Sequence, residues 1–190
     1  VYKRQKYSHT DILNLMNFEL EPYYPWAATD NPINLKVKVI RDNKLWDILY
    51  CLEGDIESIN IPQLVEEGQR KDRLWEKTCF ELFFFHPKKE EYFEWNFSPD
   101  TNWAFYHFKQ YRQRHTEPTS NFEMVKINQY TDQRTKMILS ARILFDTTEP
   151  LLSPCAVISH KNGRKSYFSS THLREEPDFH DKKSAINFSI

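Results

Sequence analysis

The sequence predicts an all-β fold, a two-sheet antiparallel β-sandwich of jelly-roll or immunoglobulin-like type with few short helices. Three observations predict it. Residues Leu35–Ile40 alternate apolar and polar side chains, as expected for a half-buried strand. Aromatic residues make up 15% of the chain and are dense between Leu74 and Arg112, where they suit a pleated surface with a buried face. Many short strand patterns are separated by turn residues, and no amphipathic helix of ten or more residues stands out.

The length of 190 residues predicts one domain, spanning residues 1–190. Leu45–Leu52 follows the turn residues Asp42-Asn43 and pairs with Leu35–Ile40 in a predicted hairpin. Ile56–Ile61 is expected to form a short third strand, and the charged stretch Gln63–Lys71 a loop or one short helix.

Three strands are expected in the central block, at Thr78–Phe85, Tyr92–Phe97 and Trp103–Phe108. Glu123–Tyr130 and Lys136–Phe145 are expected to form another antiparallel pair. The other predicted features are an irregular or strand-containing first thirty residues, a turn-rich connection at Asp146–Pro154, and final strands at Cys155–Ser159, Ser166–Ser170 and Ala185–Ser189.

The loop His86–Glu91 predicts the register of the central hairpin. If it closes a simple hairpin, Phe85 faces Tyr92, Phe83 faces Glu94, and Glu81 faces Asn96. Because side chains alternate along a strand, these residues share one side of the sheet. The other side is wholly apolar and is the predicted core face: Phe80, Leu82, Phe84, Phe93, Trp95 and Phe97.

The mixed side of this hairpin is the candidate ligand site. Its aromatic rings, with Tyr92 among them, could stack on a sugar or another flat ligand, while Glu81, Glu94 and Asn96 supply hydrogen bonds. The structural alternative is a covered face in which Glu81 pairs with Arg142 or another base, because buried carboxylates need partners.

Two tryptophans flank the same block. Trp75 and Trp103 lie at loop–strand junctions, where a Trp serves either as a ligand platform or as a core residue at the sandwich rim. Tyr106, Phe108 and Tyr111 are expected to continue the packing of the block.

Near the carboxyl end, His180 stands between acidic residues in Glu176–Asp181, with His172 eight residues earlier. The cluster could hold a metal or another ligand, or raise the pKa of His180, or it could be a loop in which Asp178 caps a turn and Phe179 fills the core. No pair of the seven histidines has helix-type metal spacing, so no metal ligands are assigned.

Composition excludes several classes of function. The net charge is -1 with the basic residues dispersed, which predicts no nucleic-acid surface. No stretch approaches the ~20 apolar residues of a membrane span, and no apolar signal segment is recognised. The three cysteines form neither a metal motif nor a disulfide framework, which favours a cytoplasmic location.

Four segments together resemble the bacterial DOMON-like domain proteins, which are related in fold to family 9 carbohydrate-binding modules. The segments are Leu49–Asp55, Arg73–Phe83, Glu94–Tyr106 and Pro177–His180, and the resemblance covers roughly residues 35 to 190. It implies a two-sheet antiparallel sandwich whose relatives bind sugars or haem without catalysis. Family 9 modules hold sugar between tryptophans, for which only Trp75 and Trp103 could be proposed here. The axial Met and His of haem-binding relatives find no matching pair in this sequence.

The function predicted from the residues and the resemblance is a non-catalytic small-ligand-binding domain, with a saccharide favoured over haem and no cofactor identified. Two alternatives stay open at this point. One is a structural or protein-interaction module without a small-molecule site. The other is a small hydrolase that uses Glu81 and Glu94, or the region of His172 and His180.

Overall fold

A computed structural model describes residues 14–23, 33–116 and 122–188. The predicted first thirty residues fall partly outside this range, as does the end of the predicted strand Ala185–Ser189. The strands are β1 (Asn14–Pro22), β2 (Asn34–Asp42), β3 (Leu45–Glu53), β4 (Cys79–Phe85), β5 (Tyr92–Phe97), β6 (Trp103–Gln110), β7 (Gln113–Arg114), β8 (Phe122–Thr131), β9 (Lys136–Phe145), β10 (Leu151–Ser159), β11 (Lys165–Ser169) and β12 (Ile186–Asn187).

Helical structure in the described ranges consists of single 3-10 turns. They lie at Ile56–Ser58, Leu74–Glu76 and Lys182–Ser184. No helix among these residues is long and apolar enough to cross a bilayer.

Two antiparallel sheets form the sandwich. The first sheet has the order β1-β2-β3-β9-β8, and the second has the order β7-β6-β5-β4-β10-β11, with β12 beside the start of β10. Strand β1 links them, because Asn14–Leu20 pairs with β2 whereas Glu21 and Pro22 pair with β11. The predicted two-sheet antiparallel sandwich is confirmed.

The core lies between the sheets and consists of inward-facing apolar side chains from both. Trp46 of the first sheet meets Phe84 of the second with ring centroids 5.0 Å apart, and Tyr50 meets Phe80 at the same distance. Trp95 is completely buried. The predicted core face of the central hairpin is confirmed, with Phe93 at its partly buried rim.

The register of the central hairpin is as the loop length predicts. Phe85 pairs with Tyr92, Phe83 with Glu94, and Glu81 with Asn96. This register places the two carboxyl groups diagonally across neighbouring strands, on the side of the second sheet that faces away from the first.

Two predictions for strand positions are wrong. Ile56–Ile61 is not a strand, because the Asp55 side chain accepts a hydrogen bond from the Ser58 amide and caps a 3-10 turn instead. Strand β10 begins at Leu151, inside the predicted turn region. It passes through Pro154, which falls between the stretches that pair with β12 and β11, where a strand tolerates a missing N–H.

Tyr111 was expected to pack with the central block, but it is exposed because it lies in the tight turn between β6 and β7. Tyr106 and Phe108, which precede it on β6, are buried as expected.

Candidate functional site

The outer face of the second sheet carries a second apolar cluster, which the segment around Phe179 covers. Its buried members are Phe83, Phe85, Tyr92, Ala104, Tyr106, Phe108, Cys155, Val157 and Phe179. The covering is incomplete, and a cavity of about 350 Å³ remains beside the sheet. Trp75, Glu81, Glu94, Phe108, Arg112, Arg114, Val157, Tyr167, Pro177, Phe179 and His180 line it.

Two carboxyl groups reach this cavity from the sheet. Glu81 on β4 and Glu94 on β5 are each only 4% exposed. The Asn96 side-chain amide donates a hydrogen bond of 2.7 Å to Glu94 Oε1, and the Cys79 thiol donates to Asn96 Oδ1 at 3.6 Å. Asn96 is fully buried and therefore acts beneath the cavity, as the residue that orients Glu94.

The Glu81 carboxyl group has no hydrogen-bond partner among residues 14–23, 33–116 and 122–188. Burial raises its pKa well above 4.5, the charge of Glu94 raises it further, and Lys165 acts in the opposite direction. Burial also raises the pKa of Glu94 to about 7, against the hydrogen bond from Asn96. An isolated buried carboxyl group is costly, so this pair is either protonated or in need of donors from outside the chain.

His180 lines the cavity within 4.0 Å of the Glu94 carboxyl group. The Tyr92 hydroxyl oxygen accepts from the Arg112 backbone N–H at 2.9 Å and lies 2.7 Å from His180 Nδ1. The hydroxyl proton is therefore free to be donated to Nδ1, which places the ring proton on Nε2, 4.0 Å from Glu94 Oε2. Burial, with Arg112 nearby, lowers the pKa of His180 to about 4, so the ring is neutral at pH 7.

The turn and short strand that follow β6 bring two arginines to the mouth of the cavity. Arg112 takes a left-handed backbone conformation with φ of 54° and pairs with Asp178 at 3.1 Å. The Arg114 guanidinium lies 3.8 Å above the centre of the Tyr106 ring. Within the described part of the chain Arg114 has no carboxylate partner, so it is the cation at this mouth that is free to meet a ligand.

Aromatic rings complete the wall. Trp75 packs edge-on against Tyr106 with ring centroids 5.7 Å apart, and Lys165 Nζ donates to its carbonyl oxygen at 3.2 Å. The rings of Tyr167 on β11 and Phe179 pack together with their centroids 6.2 Å apart. Trp75 and Tyr167 are half-buried, so each leaves part of its ring available to an occupant of the cavity.

The structure brings together part of the predicted site. Glu81, Glu94, Trp75 and His180 line the cavity, while Asn96 and Tyr92 hold Glu94 and His180 in place.

Two predicted site residues lie elsewhere. Trp103 packs on the core side against Trp95, with ring centroids 5.9 Å apart. His172 hydrogen-bonds the carbonyl oxygen of Glu21 at 2.8 Å and contacts the Tyr23 ring, outside the cavity.

The alternative pairing of Glu81 with Arg142 does not occur. Arg142 lies on the first sheet and forms a two-point salt bridge with Asp47, at 2.6 and 2.8 Å. The loop around His180 is also as the structural alternative predicts. The Asp178 side chain caps a turn by accepting a hydrogen bond from the His180 amide, and Phe179 is buried. His180 itself lines the cavity.

Sequence reasoning did not identify Arg112, Arg114 and Tyr167 as site residues. Strand alternation could not have paired the two arginines, because Arg112 lies in the turn after β6 and only Arg114 belongs to β7. Tyr167 lies on a strand paired with β10, and sheet order brings it to the cavity that Glu81 also lines.

No protein-family model matches the chain, and no curated protein matches it. The crystal structure of a putative carbohydrate-binding protein from Bacteroides uniformis is similar, with a TM-score of 0.60 and 10% sequence identity. The similarity covers 92% of this chain and 85% of that one. At this identity the likeness shows a shared fold.

Proposed function

We propose that the protein is a non-catalytic binding domain that takes a small saccharide into the cavity beside Glu81 and Glu94. The observation that carries the proposal is the unpartnered Glu81 carboxyl group at the cavity wall. Sugar hydroxyl groups are donors that can satisfy its oxygens, and a ligand that supplies them removes the cost of leaving this group buried.

The other walls suit the same ligand class. Trp75 and Tyr167 offer apolar ring surface for the C–H face of a sugar, and Arg114 offers donors to its oxygens. A volume of about 350 Å³ lies in the range of roughly 300–1,000 Å³ that is typical of small-molecule sites.

Haem is disfavoured as the occupant. All three methionines, Met16, Met124 and Met137, lie on the first sheet and pack against the core between the sheets. None of them reaches the cavity, and His180 Nδ1 already meets Tyr92. An axial Met–His pair therefore has no counterpart at this site.

The fold comparison and the sequence resemblance support the same proposal. The similar structure from Bacteroides uniformis is a putative carbohydrate-binding protein, and the resemblance to DOMON-like proteins implies relatives that bind sugars or haem. Membership of the DOMON-like family, a single domain over residues 1–190 and a cytoplasmic location all stay predictions.

The test is isothermal titration of the full chain with a panel of neutral and acidic mono- and disaccharides. For any sugar that binds, Glu81→Met is expected to weaken affinity at least tenfold, because it removes the acceptor while keeping an unbranched side chain of similar length. The matched control is Glu123→Met, an exposed position on the first sheet, which is expected to leave affinity unchanged. Absence of binding across the panel, or equal affinity in Glu81→Met, would reject the proposal.

One observation favours a second candidate, a carboxylate-dependent glycoside hydrolase. A carboxyl group with a pKa of about 7, as in Glu94, can donate a proton near neutral pH, and Glu81 stands beside it as a second carboxyl group. Turnover of chromogenic glycosides by the wild type, abolished in Glu94→Gln, would replace the binding domain with this enzyme.

A further inference from the structure

A cluster of metal-binding side chains lies on the opposite side of β5 and β6 from the cavity. Glu91, His107 and His115 each offer one ligand atom, and these atoms all lie within 4.8 Å of one another. His107 Nε2 and Glu91 Oε1 are 2.6 Å apart. Two imidazole nitrogens and one carboxylate oxygen form a donor set that zinc accepts.

The register of the sheet explains why three residues that are distant in sequence meet there. His107 on β6 pairs with Phe93 on β5. Glu91 precedes Phe93 by two positions and shares its side of the sheet, so Glu91 lies diagonally opposite His107. On its other edge, β6 pairs with β7, where Phe108 lies opposite Arg114. One residue further from the turn, His107 lies opposite His115, and the His115 amide donates a hydrogen bond of 2.8 Å to the His107 carbonyl oxygen.

The packing holds one imidazole firmly and leaves the other accessible. The His107 ring stacks on Phe93 with centroids 4.4 Å apart, and on the His115 ring with centroids 3.9 Å apart. His115 is exposed, and Glu91 and His107 are half-buried. In a tetrahedral site with bonds of about 2.0 Å the ligand atoms lie about 3.3 Å apart. To reach this spacing, the hydrogen bond between Glu91 and His107 opens and the exposed His115 ring turns out of its stack on His107.

We propose that Glu91, His107 and His115 bind one Zn²⁺ ion. Two of the three donors are imidazole nitrogens, which favours zinc over calcium or magnesium, ions that prefer oxygen ligands. Three protein ligands leave the fourth tetrahedral position to water or an exogenous ligand.

The ion would also fasten the β6–β7 hairpin. His115 follows Arg114 directly, and the turn before it carries Arg112, so the metal would hold the segment that brings both arginines to the cavity mouth. This consequence depends on the saccharide proposal, whereas the zinc site itself does not.

The experiment is titration of the untagged, chelator-treated full chain with ZnCl₂ by calorimetry, together with the visible absorption of Co²⁺ as a substitute ion. The wild type is expected to bind one equivalent, to gain thermal stability with Zn²⁺, and to give the ligand-field bands of a tetrahedral Co²⁺ site.

His115→Ala and Glu91→Gln are expected to weaken Zn²⁺ binding at least tenfold and to lose the Co²⁺ bands. Because His115 is exposed, its variant keeps the fold, which an unchanged melting temperature without metal verifies. His172→Ala, a histidine on a distant part of the surface, is the matched control and is expected to bind as the wild type does. Failure to bind one equivalent, or equal binding in His115→Ala and Glu91→Gln, overturns the site without touching the saccharide proposal.

Discussion

Replacing Glu94 by Gln is expected to stabilise the protein at pH 7.5 and to leave its stability nearly unchanged at pH 4.5. The substitution keeps the shape of the side chain and an oxygen that accepts the hydrogen bond from Asn96, now at 2.7 Å. What it removes is a carboxyl group that must stay protonated, or carry a charge, in a site with 4% exposure.

The size of the effect follows from the pKa of Glu94. It rises from 4.5 to about 7 on folding because the group is buried. The folded state therefore holds the proton more tightly, and between pH 4.5 and 7 the wild type loses stability as pH rises. At about 1.4 kcal/mol per pKa unit the loss is about 3 kcal/mol, which for a chain of this size corresponds to roughly 6–12 °C in melting temperature.

His180 acts in the opposite direction over nearly the same range. Burial lowers its pKa from 6.5 to about 4, so the folded state disfavours the proton and stability rises with pH between those values. The His180 effect offsets much of the Glu94 effect, whereas Glu81, whose pKa burial raises well above 4.5, adds a further loss of stability as pH rises. Because His180 is present in both proteins, the difference between Glu94→Gln and wild type removes the His180 effect and reports Glu94 together with the repulsion that its charge exerts on Glu81.

The assay is urea denaturation of both proteins at half-unit steps from pH 4.5 to 8, with exposed Glu123→Gln as the control that should track the wild type. The stability gain of Glu94→Gln should grow by about 3 kcal/mol across this range. A gain that is independent of pH, or a loss of stability at pH 7.5, would refute the reasoning that burial keeps this carboxyl group protonated.

Two further predictions concern the fold. Trp95→Ala, which empties a fully buried ring site between the sheets, is expected to cost about 3–5 kcal/mol in urea denaturation, and a loss below about 1 kcal/mol would contradict the described core. Gly68→Ala is expected to cost about 1–3 kcal/mol, because a Cβ there would collide with the carbonyl oxygen of Thr101. Gly163→Ala is expected to lower the free energy of unfolding by less, because φ is +83° there but no atom lies within 4 Å of the added Cβ. A larger loss of stability in Gly163→Ala than in Gly68→Ala would contradict the collision expected at Gly68.

Local pattern alone was enough for the sandwich and for the register of its central hairpin. The period of two in Leu35–Ile40 and the loop length between Phe85 and Tyr92 depend only on neighbours in sequence, and both predictions agree with the structure. Local pattern misled where another local contact was stronger, as at Ile56–Ile61, where the Asp55 cap replaces a strand.

The same pattern could place Glu81 and Glu94 on one face, but not say what covers that face. An alternating strand shows which residues share a side, since that depends on backbone geometry within a few residues. Whether that face is exposed to solvent, fully covered or lined by a cavity depends on Phe179 and Tyr167, which belong to segments distant in sequence.

Sheet order, the turn after β6 and the path of the C-terminal segment therefore decide the composition of the cavity. The same long-range pairing brings Glu91, His107 and His115 together, although no spacing in the sequence joins them. Side-chain chemistry was readable from the amino acids, whereas the meeting of those side chains is a property of tertiary contacts, which sequence periodicity does not encode.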